Sequence, residues 1–267
     1  MLGIFFRAVL FAVVFATSFR ISASAQETVT ACSLNNICYC VQKDFQKAVD
    51  DEVKVLRALI RKQKANGKAV GYLSIPLSGV GGSYFPLNAR IAAKTKELVE
   101  ERFGVRSAYV LNSGADEISL PHGASQADYL SMWTAVLEGE TGKGEDFDFI
   151  YFVGPSDFAR YFGLDGRDDM TKLENWYDGE VTTDQNLKKV DRSAFRTYYA
   201  LRASGAYSVG AHDEWNVVRT IDAARMSSKT DYGIQRQLGI LFDGKGVAPG
   251  VFETQSTPGN AAPCEKH

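Results

Sequence analysis

The chain is short of several things that would point to a function. Its 267 residues hold three histidines, four cysteines, four methionines and seven prolines. The histidines are His122, His212 and the terminal His267, too few and too scattered for a histidine-based metal centre. Charge of one sign is also missing, with 30 Lys and Arg against 32 Asp and Glu. That balance excludes a basic field for nucleic acid and an electrostatic grip on anionic lipid. No tract repeats. Beyond the N-terminal run, no segment is apolar enough to span a bilayer. Gly79-x-Gly81-Gly82 resembles a phosphate cradle, but no Gly-Lys-Ser/Thr follows. Tyr84-Phe85-Pro86 also stands where a dinucleotide fingerprint would enter a helix. No cofactor and no metal are expected.

What is present begins with a leader. Arg7 precedes the apolar run Val9–Phe15, and Ala23-Ser24-Ala25 supplies a small-x-small cleavage site. Residues 1–25 read as a signal peptide, and its loss removes Arg7 and Arg20. Val29-Thr30-Ala31-Cys32 looks like a lipoprotein box, but it lies well past the apolar run. Export to a secreted or periplasmic location suits the cysteines. Cys32, Cys38, Cys40 and Cys264 form an even set, so up to two disulfides are expected, at least one joining the two ends of the chain. Zinc is a poorer reading of Cys38-x-Cys40, since no second close pair or nearby His accompanies it.

The mature chain divides into a Cys-bearing leader over 26–43, an α/β domain over 44–243 and a flexible tail over 244–267. Phe45, Val49, Val53, Leu56 and Ile60 recur at helical steps, predicting a helix over 44–64 that ends at Gly67. Apolar runs at 69–75, 107–111 and 147–153 predict buried strands. Helices between them are expected from Asn88 and from Ser125, each read as an N-cap. Residues 164–190 are rich in Asp, Gly, Lys and Asn and read as a surface insertion. Helices over 193–203 and 211–226 and a strand over 237–242 complete the pattern. Strands that are continuously apolar and alternate with helices argue for an open, mainly parallel sheet covered on both faces, a Rossmann-like or flavodoxin-like three-layer α/β fold.

Ligands in such sheets sit beyond the carboxyl ends of the strands. Residues 72–88, 154–162 and 208–216 are the segments expected to converge there. The last, Ser208-Val209-Gly210-Ala211-His212-Asp213-Glu214, sets small residues beside two carboxylates at a helix start. Small residues admit a ligand close to the backbone. An ionised carboxylate in a pocket can attack a sugar's anomeric carbon. Acidic residues in a first helical turn are also common for stability alone. Ser113, Ser119 and His122 lack a Gly-x-Ser-x-Gly elbow, which argues against a serine hydrolase. Trp133 and Trp176 read as packing residues, and Trp215, next to Glu214, as a candidate ligand contact.

Three motifs resemble the nucleoside 2-deoxyribosyltransferase-like superfamily. Gly71-Tyr72-Leu73-Ser74-Ile75-Pro76-Leu77-Ser78-Gly79, followed by Asn88, is similar to its first strand and loop. Phe149–Val153 is similar to its central strand, and Ser208-x-Gly210-Ala211-x-x-Glu214 to its nucleophile helix. The match covers roughly residues 69–226. The resemblance implies that Glu214 is a nucleophile forming a covalent glycosyl intermediate and that Tyr72 orients it. It implies that Pro76, Gly79, Asn88 and Gly210 contact the ligand, a nucleoside or nucleotide. A general acid is also needed, with Asp157 the first choice and Asp213 the second. Family members often complete their sites across subunits, which leaves room for a homo-oligomer. Two features depart from the pattern. Residues 154–207 separate the central strand from the Glu214 helix, and the preceding helix reads Leu130-Ser131-Met132-Trp133-Thr134-Ala135, without an acid. Two rival functions use the same fold: a non-catalytic exported module binding a small ligand or a protein, and a hydrolase of sugar nucleotides or cell wall.

Overall fold

The structure, a computed structural model, describes residues 27–77, 81–115, 117–227, 237–247 and 261–265. The predicted leader 1–25, Gly79 and most of the predicted tail lie outside these residues. At the start, β1 (Thr28–Cys32) and β2 (Cys38–Gln42) pair antiparallel. Cys32–Cys38 closes this hairpin, and Cys40–Cys264 ties it to the C-terminal segment. Both bridges suit an oxidising compartment. The 26–43 segment, read as a Cys-bearing leader, contains this paired hairpin.

Helix α1 (Gln46–Ala65) buries the stripe Val49, Val53, Leu56 and Ile60. Each such side chain contributes about 1.5–3 kcal/mol when fully buried. Next come β3 (Ala69–Ser74), α2 (Phe85–Phe103) and β4 (Ala108–Asn112). Asn88 does not cap α2, as the sequence had suggested. Pro86 opens the helix, because its missing N–H costs nothing in the first turn. Asn88 lies inside the first turns and is fully buried. Gly104 ends the helix at φ +94°, a conformation that disfavours a side chain.

Helix α3 (Gln126–Glu138) is capped by Ser125, whose hydroxyl accepts from the Asp128 N–H while the Asp128 carboxylate accepts from the Ser125 N–H. The disulfide hairpin grips this helix along its length. Asp128 accepts from the Gln42 N–H at 2.8 Å, Tyr39 shares a 2.6 Å hydrogen bond with Thr134, and Glu138 accepts from the Ser33 hydroxyl at 2.7 Å.

The remaining elements are β5 (Phe149–Phe152), α4 (Pro155–Phe162), α5 (Asp169–Glu180), α6 (Arg192–Leu201), α7 (Val209–Ser227), β6 (Gly239–Phe242) and β7 (Lys245–Gly246). The sheet order is β4-β3-β5-β6-β7, parallel except for β7. Helices α1, α3 and α7 cover one face, and α2, α4, α5 and α6 the other. Side chains alternate between the two. Tyr72, Leu111, Ile150 and Ile240 face the first layer, while Leu73, Val110 and Tyr151 face the second. This is the expected α/β three-layer architecture. The 164–190 segment is more than a surface appendage. Its Leu173, Tyr177 and Leu187 are buried in the second layer, against Phe195 and Tyr199 of α6. Leu164, Trp176, Val181 and Val190 pack against the same layer, Trp176 stacking on Phe195 at 5.6 Å.

Candidate active site

β3 is the centre of the site. Its alternation sends Tyr72 to the first face, where the ring packs on Trp133 at 5.4 Å and Phe147 at 6.0 Å. Its phenol reaches α7. Tyr72 Oη donates to Glu214 Oε1 at 2.6 Å, a charge-assisted length. Glu214 stands there because α7 begins where Ser208 caps it, accepting from the Ala211 N–H at 3.3 Å. One and a half turns later the helix presents Glu214 to the sheet.

Glu214 lines a cavity of about 460 Å³, and the fully buried Tyr72 stands behind it. Ile75 and Leu77 supply one wall, Ser113 and Gly114 a second, Trp133 a third, and Gly210 admits close approach beside Glu214. The Ser113 hydroxyl donates to the Leu73 carbonyl at 2.9 Å, fixing the loop after β4 to β3. The lining is mostly apolar, and its electrostatics follow. Burial raises the Glu214 carboxyl to about 7, with the neighbouring Ser74 hydroxyl and Tyr72 phenol moderating the rise and Asp213 adding to it. The Tyr72 phenol is pushed well above its ordinary 10, by burial first and by the Glu214 charge second. At neutral pH the phenol is a fixed donor and the carboxyl is poised between its two states.

The other predicted site residues lie elsewhere. Asp157 is on the far face of the sheet. It is buried in the first turn of α4, accepts from the Gly154 N–H at 3.0 Å, and takes a 2.9 Å hydrogen bond from Tyr151. Tyr151 and Tyr72 differ in strand parity, so the sheet separates Asp157 from Glu214. Burial raises the Asp157 carboxyl, but its environment is a helix cap. Asp213 is buried beside Glu214 without lining the cavity, and its charge acts on the Tyr39 phenol beneath the hairpin. Trp215 also faces away. It packs on Phe152 at 4.6 Å and lines a separate cavity of about 300 Å³ with His212 and Phe242. Pro76 is buried just behind the wall formed by its neighbours, and its carbonyl accepts from Asn88 Nδ2 at 2.7 Å. Asn88 thus anchors the loop without reaching the cavity, and its Oδ1 accepts from the Tyr199 hydroxyl at 2.8 Å. Gly79 lies outside the described residues.

One converging segment was missed. The loop after β4 brings Ser113, Gly114 and Ser119 to the cavity, and the start of α3 brings Gln126 and Tyr129. Segment 154–162, expected in their place, turns to the other face. The signal was available, since β4 is also a strand whose carboxyl end opens on this crevice.

Among the described residues no cluster of His, Cys, Asp or Glu could hold a metal ion, and no helix is long and apolar enough to cross a membrane. Fold and cavity define a three-layer α/β protein in which a buried carboxylate, held by a phenol behind it, lines a small-molecule-sized cleft. No protein-family model, curated protein or solved structure matches the chain.

Proposed function

We propose that this protein is an exported enzyme that cleaves or transfers the N-glycosidic bond of a nucleoside or nucleotide. Glu214 attacks the anomeric carbon and forms a glycosyl ester, and the base departs. A second base or water then attacks the same carbon, breaking its ester bond to Glu214, losing its proton to solvent and restoring the carboxylate. The observation that supports this most is the 2.6 Å hydrogen bond from the buried Tyr72 phenol to Oε1 of Glu214, a residue on the cavity wall. The phenol holds one carboxylate oxygen, which orients the other for attack. No second carboxyl group lines the cavity among the described residues, so the departing nitrogen takes its proton from water entering at the mouth. Positioned acids contribute about 10²–10⁴-fold, so turnover is slow beside enzymes that carry one. The signal peptide at 1–25 and the two disulfides support a secreted or periplasmic location. The test is incubation of the mature protein with a panel of nucleosides and nucleotides, following released base. Glu214→Gln is expected to abolish release, and unchanged release in that variant ends the mechanism.

A second reading is favoured by Glu214 being the one carboxylate among the described residues of the cavity wall. A mostly apolar cleft whose described wall carries this acid alone also suits a non-catalytic module that holds a small ligand. Binding without base release, retained in Glu214→Gln, selects it.

A further inference from the structure

The chemistry at Glu214 makes no direct use of residues 154–207, yet these residues hold one wall of its cavity. That wall is the chain leaving β3, Ile75 and Leu77, together with Phe85 at the start of α2. The described residues that lead into α2 lie against α6. Gly82, at φ +100°, comes so close that a Cβ there would meet the Ala194 carbonyl oxygen at 2.1 Å. Tyr84 follows and is buried in the same layer as α6. Its phenol donates to Asp184, and its N–H donates to the Tyr199 hydroxyl at 3.0 Å. Further along α2, Arg90 pairs with Glu180 of α5 at 2.6 Å.

One hydroxyl organises these contacts. Tyr199 Oη has a single proton and gives it to Asn88 Oδ1 at 2.8 Å. That bond fixes which way the Asn88 carboxamide faces. Its Nδ2 then donates to the Pro76 carbonyl at 2.7 Å and to the Ser83 hydroxyl at 2.8 Å. A single amide thus fastens the exit of β3 to the entrance of α2. Pro76 lies two residues beyond Ser74, whose hydroxyl stands beside the Glu214 carboxyl. Ser74, Ser83, Asn88 and Tyr199 are all buried. Water does not replace a partner lost from such a network, so the network holds one arrangement only while it is complete.

We propose that Tyr199 is a positioning residue for the Glu214 cavity, acting through Asn88 to hold the wall formed by Ile75, Leu77 and Phe85. The segment that separates β5 from α7 thereby contributes to ligand binding without touching the ligand. When the hydroxyl is removed, the wall occupies its binding arrangement for a smaller fraction of the time, and apparent affinity falls by that fraction.

The experiment compares Tyr199→Phe with Tyr177→Phe in the mature protein. Phe at 199 keeps the ring that packs on Phe195 at 4.5 Å, so the fold survives the change. Tyr177 is the matched control, because its hydroxyl donates to the Val190 carbonyl at 2.7 Å, inside the same segment and away from the wall. The methyl NMR signals of Ile75 and Leu77 are read without ligand, and KM and kcat are read from base release with deoxyadenosine and thymidine. Only the kinetic readout rests on the glycosyl reading. Tyr199→Phe is expected to shift both sets of methyl signals and to raise KM by up to about tenfold, the scale of one hydrogen bond, with kcat retained. Tyr177→Phe is expected to do neither, although it too loses a hydrogen bond. Methyl signals unmoved by Tyr199→Phe, or moved equally by Tyr177→Phe, overturn the proposal. Shifted signals with an unchanged KM overturn it as well, since the wall would then move without affecting binding. Absence of base release from the unmodified chain overturns the glycosyl reading alone, and the methyl signals then decide whether Tyr199 holds the wall.

Discussion

Replacing Glu214 by Gln should stabilise the protein at alkaline pH and not at acid pH. Burial lifts this carboxyl from an ordinary 4.5 to about 7 in the folded chain. The folded state therefore holds a proton that the unfolded state releases between those two values. Stability falls as pH rises wherever the folded state binds more protons, so Glu214 costs stability progressively between about 4.5 and 7. Below that window both states carry a neutral acid and the penalty vanishes. Above it, at 1.36 kcal/mol per unit, the penalty reaches at most about 3 kcal/mol. Gln keeps the shape and the acceptor for the Tyr72 phenol and removes the charge. Other buried carboxyls, Asp157 and Asp222 among them, are also raised, but they are common to both proteins and cancel in the difference. The assay is chemical denaturation of both proteins at pH 4 and pH 8. The stability difference between variant and parent should grow by up to about 3 kcal/mol from the lower pH to the higher, which corresponds to roughly 6–12 °C in Tm for a chain of this size. A difference that does not change with pH refutes the claim that Glu214 is a desolvated, proton-binding carboxyl.

Three other outcomes follow from the geometry. If Glu214 is the nucleophile, kcat/KM rises with pH to a plateau, with a midpoint near 7 in the free enzyme; a profile that falls through this range assigns the carboxyl to an acid role instead. Asp157→Asn leaves base release unchanged, because the sheet lies between it and the cleft, and costs about 1 kcal/mol through the weakened α4 cap, read by denaturation; loss of turnover at full stability would contradict that placement. Replacing Cys40 and Cys264 together by Ser releases the C-terminal segment from the hairpin and lowers stability by roughly 2–5 kcal/mol, with a matching fall in Tm; an unchanged melting curve would show that this bridge constrains nothing.

The fold was legible because its signals are local. Val49, Val53, Leu56 and Ile60 announce α1 by spacing alone, and Ser125 announces α3 by its cap. The closeness of Tyr72 and Glu214 was implied by the resemblance alone, in which the first-strand tyrosine orients the nucleophile. Boundaries moved where two local rules competed. Asn88 is a good cap, but Pro86 two positions earlier is a better helix opener, and the tertiary demand for an amide under Pro76 then placed Asn88 inside the helix. The 164–190 segment misled for a different reason. Leu173, Trp176 and Tyr177 do recur at helical steps, but the Asp, Gly, Lys and Asn around them hid the stripe, which packs on Phe195 and Tyr199 of α6 later in the chain.

The misplacement of Asp157 is the most instructive, because it turns on parity. A parallel strand leaves the sheet at its carboxyl end, but the next helix can cover either face. Tyr72 and Ile150 are register partners, as are Leu73 and Tyr151, so the two tyrosines point to opposite layers. Asp157 hydrogen-bonds to Tyr151 and therefore belongs to the layer of α2 and α4, while Glu214 hydrogen-bonds to Tyr72 and belongs to that of α1 and α3. Nearness to a strand end places a residue at the crevice, and the parity of its strand partner decides which side of the crevice it serves. With that rule, the loop after β4 outranks the loop after β5 as a contributor to the Glu214 cleft. Ser113 shows the connection directly, since its hydroxyl bonds to the β3 backbone one residue beyond Tyr72. Among the described residues, Ser113 and Ser119 of the loop after β4 and Gln126 of α3 thus join Ser208 at the start of α7 as polar residues of the Glu214 cavity wall, with the Ser74 hydroxyl of β3 beside the carboxyl itself.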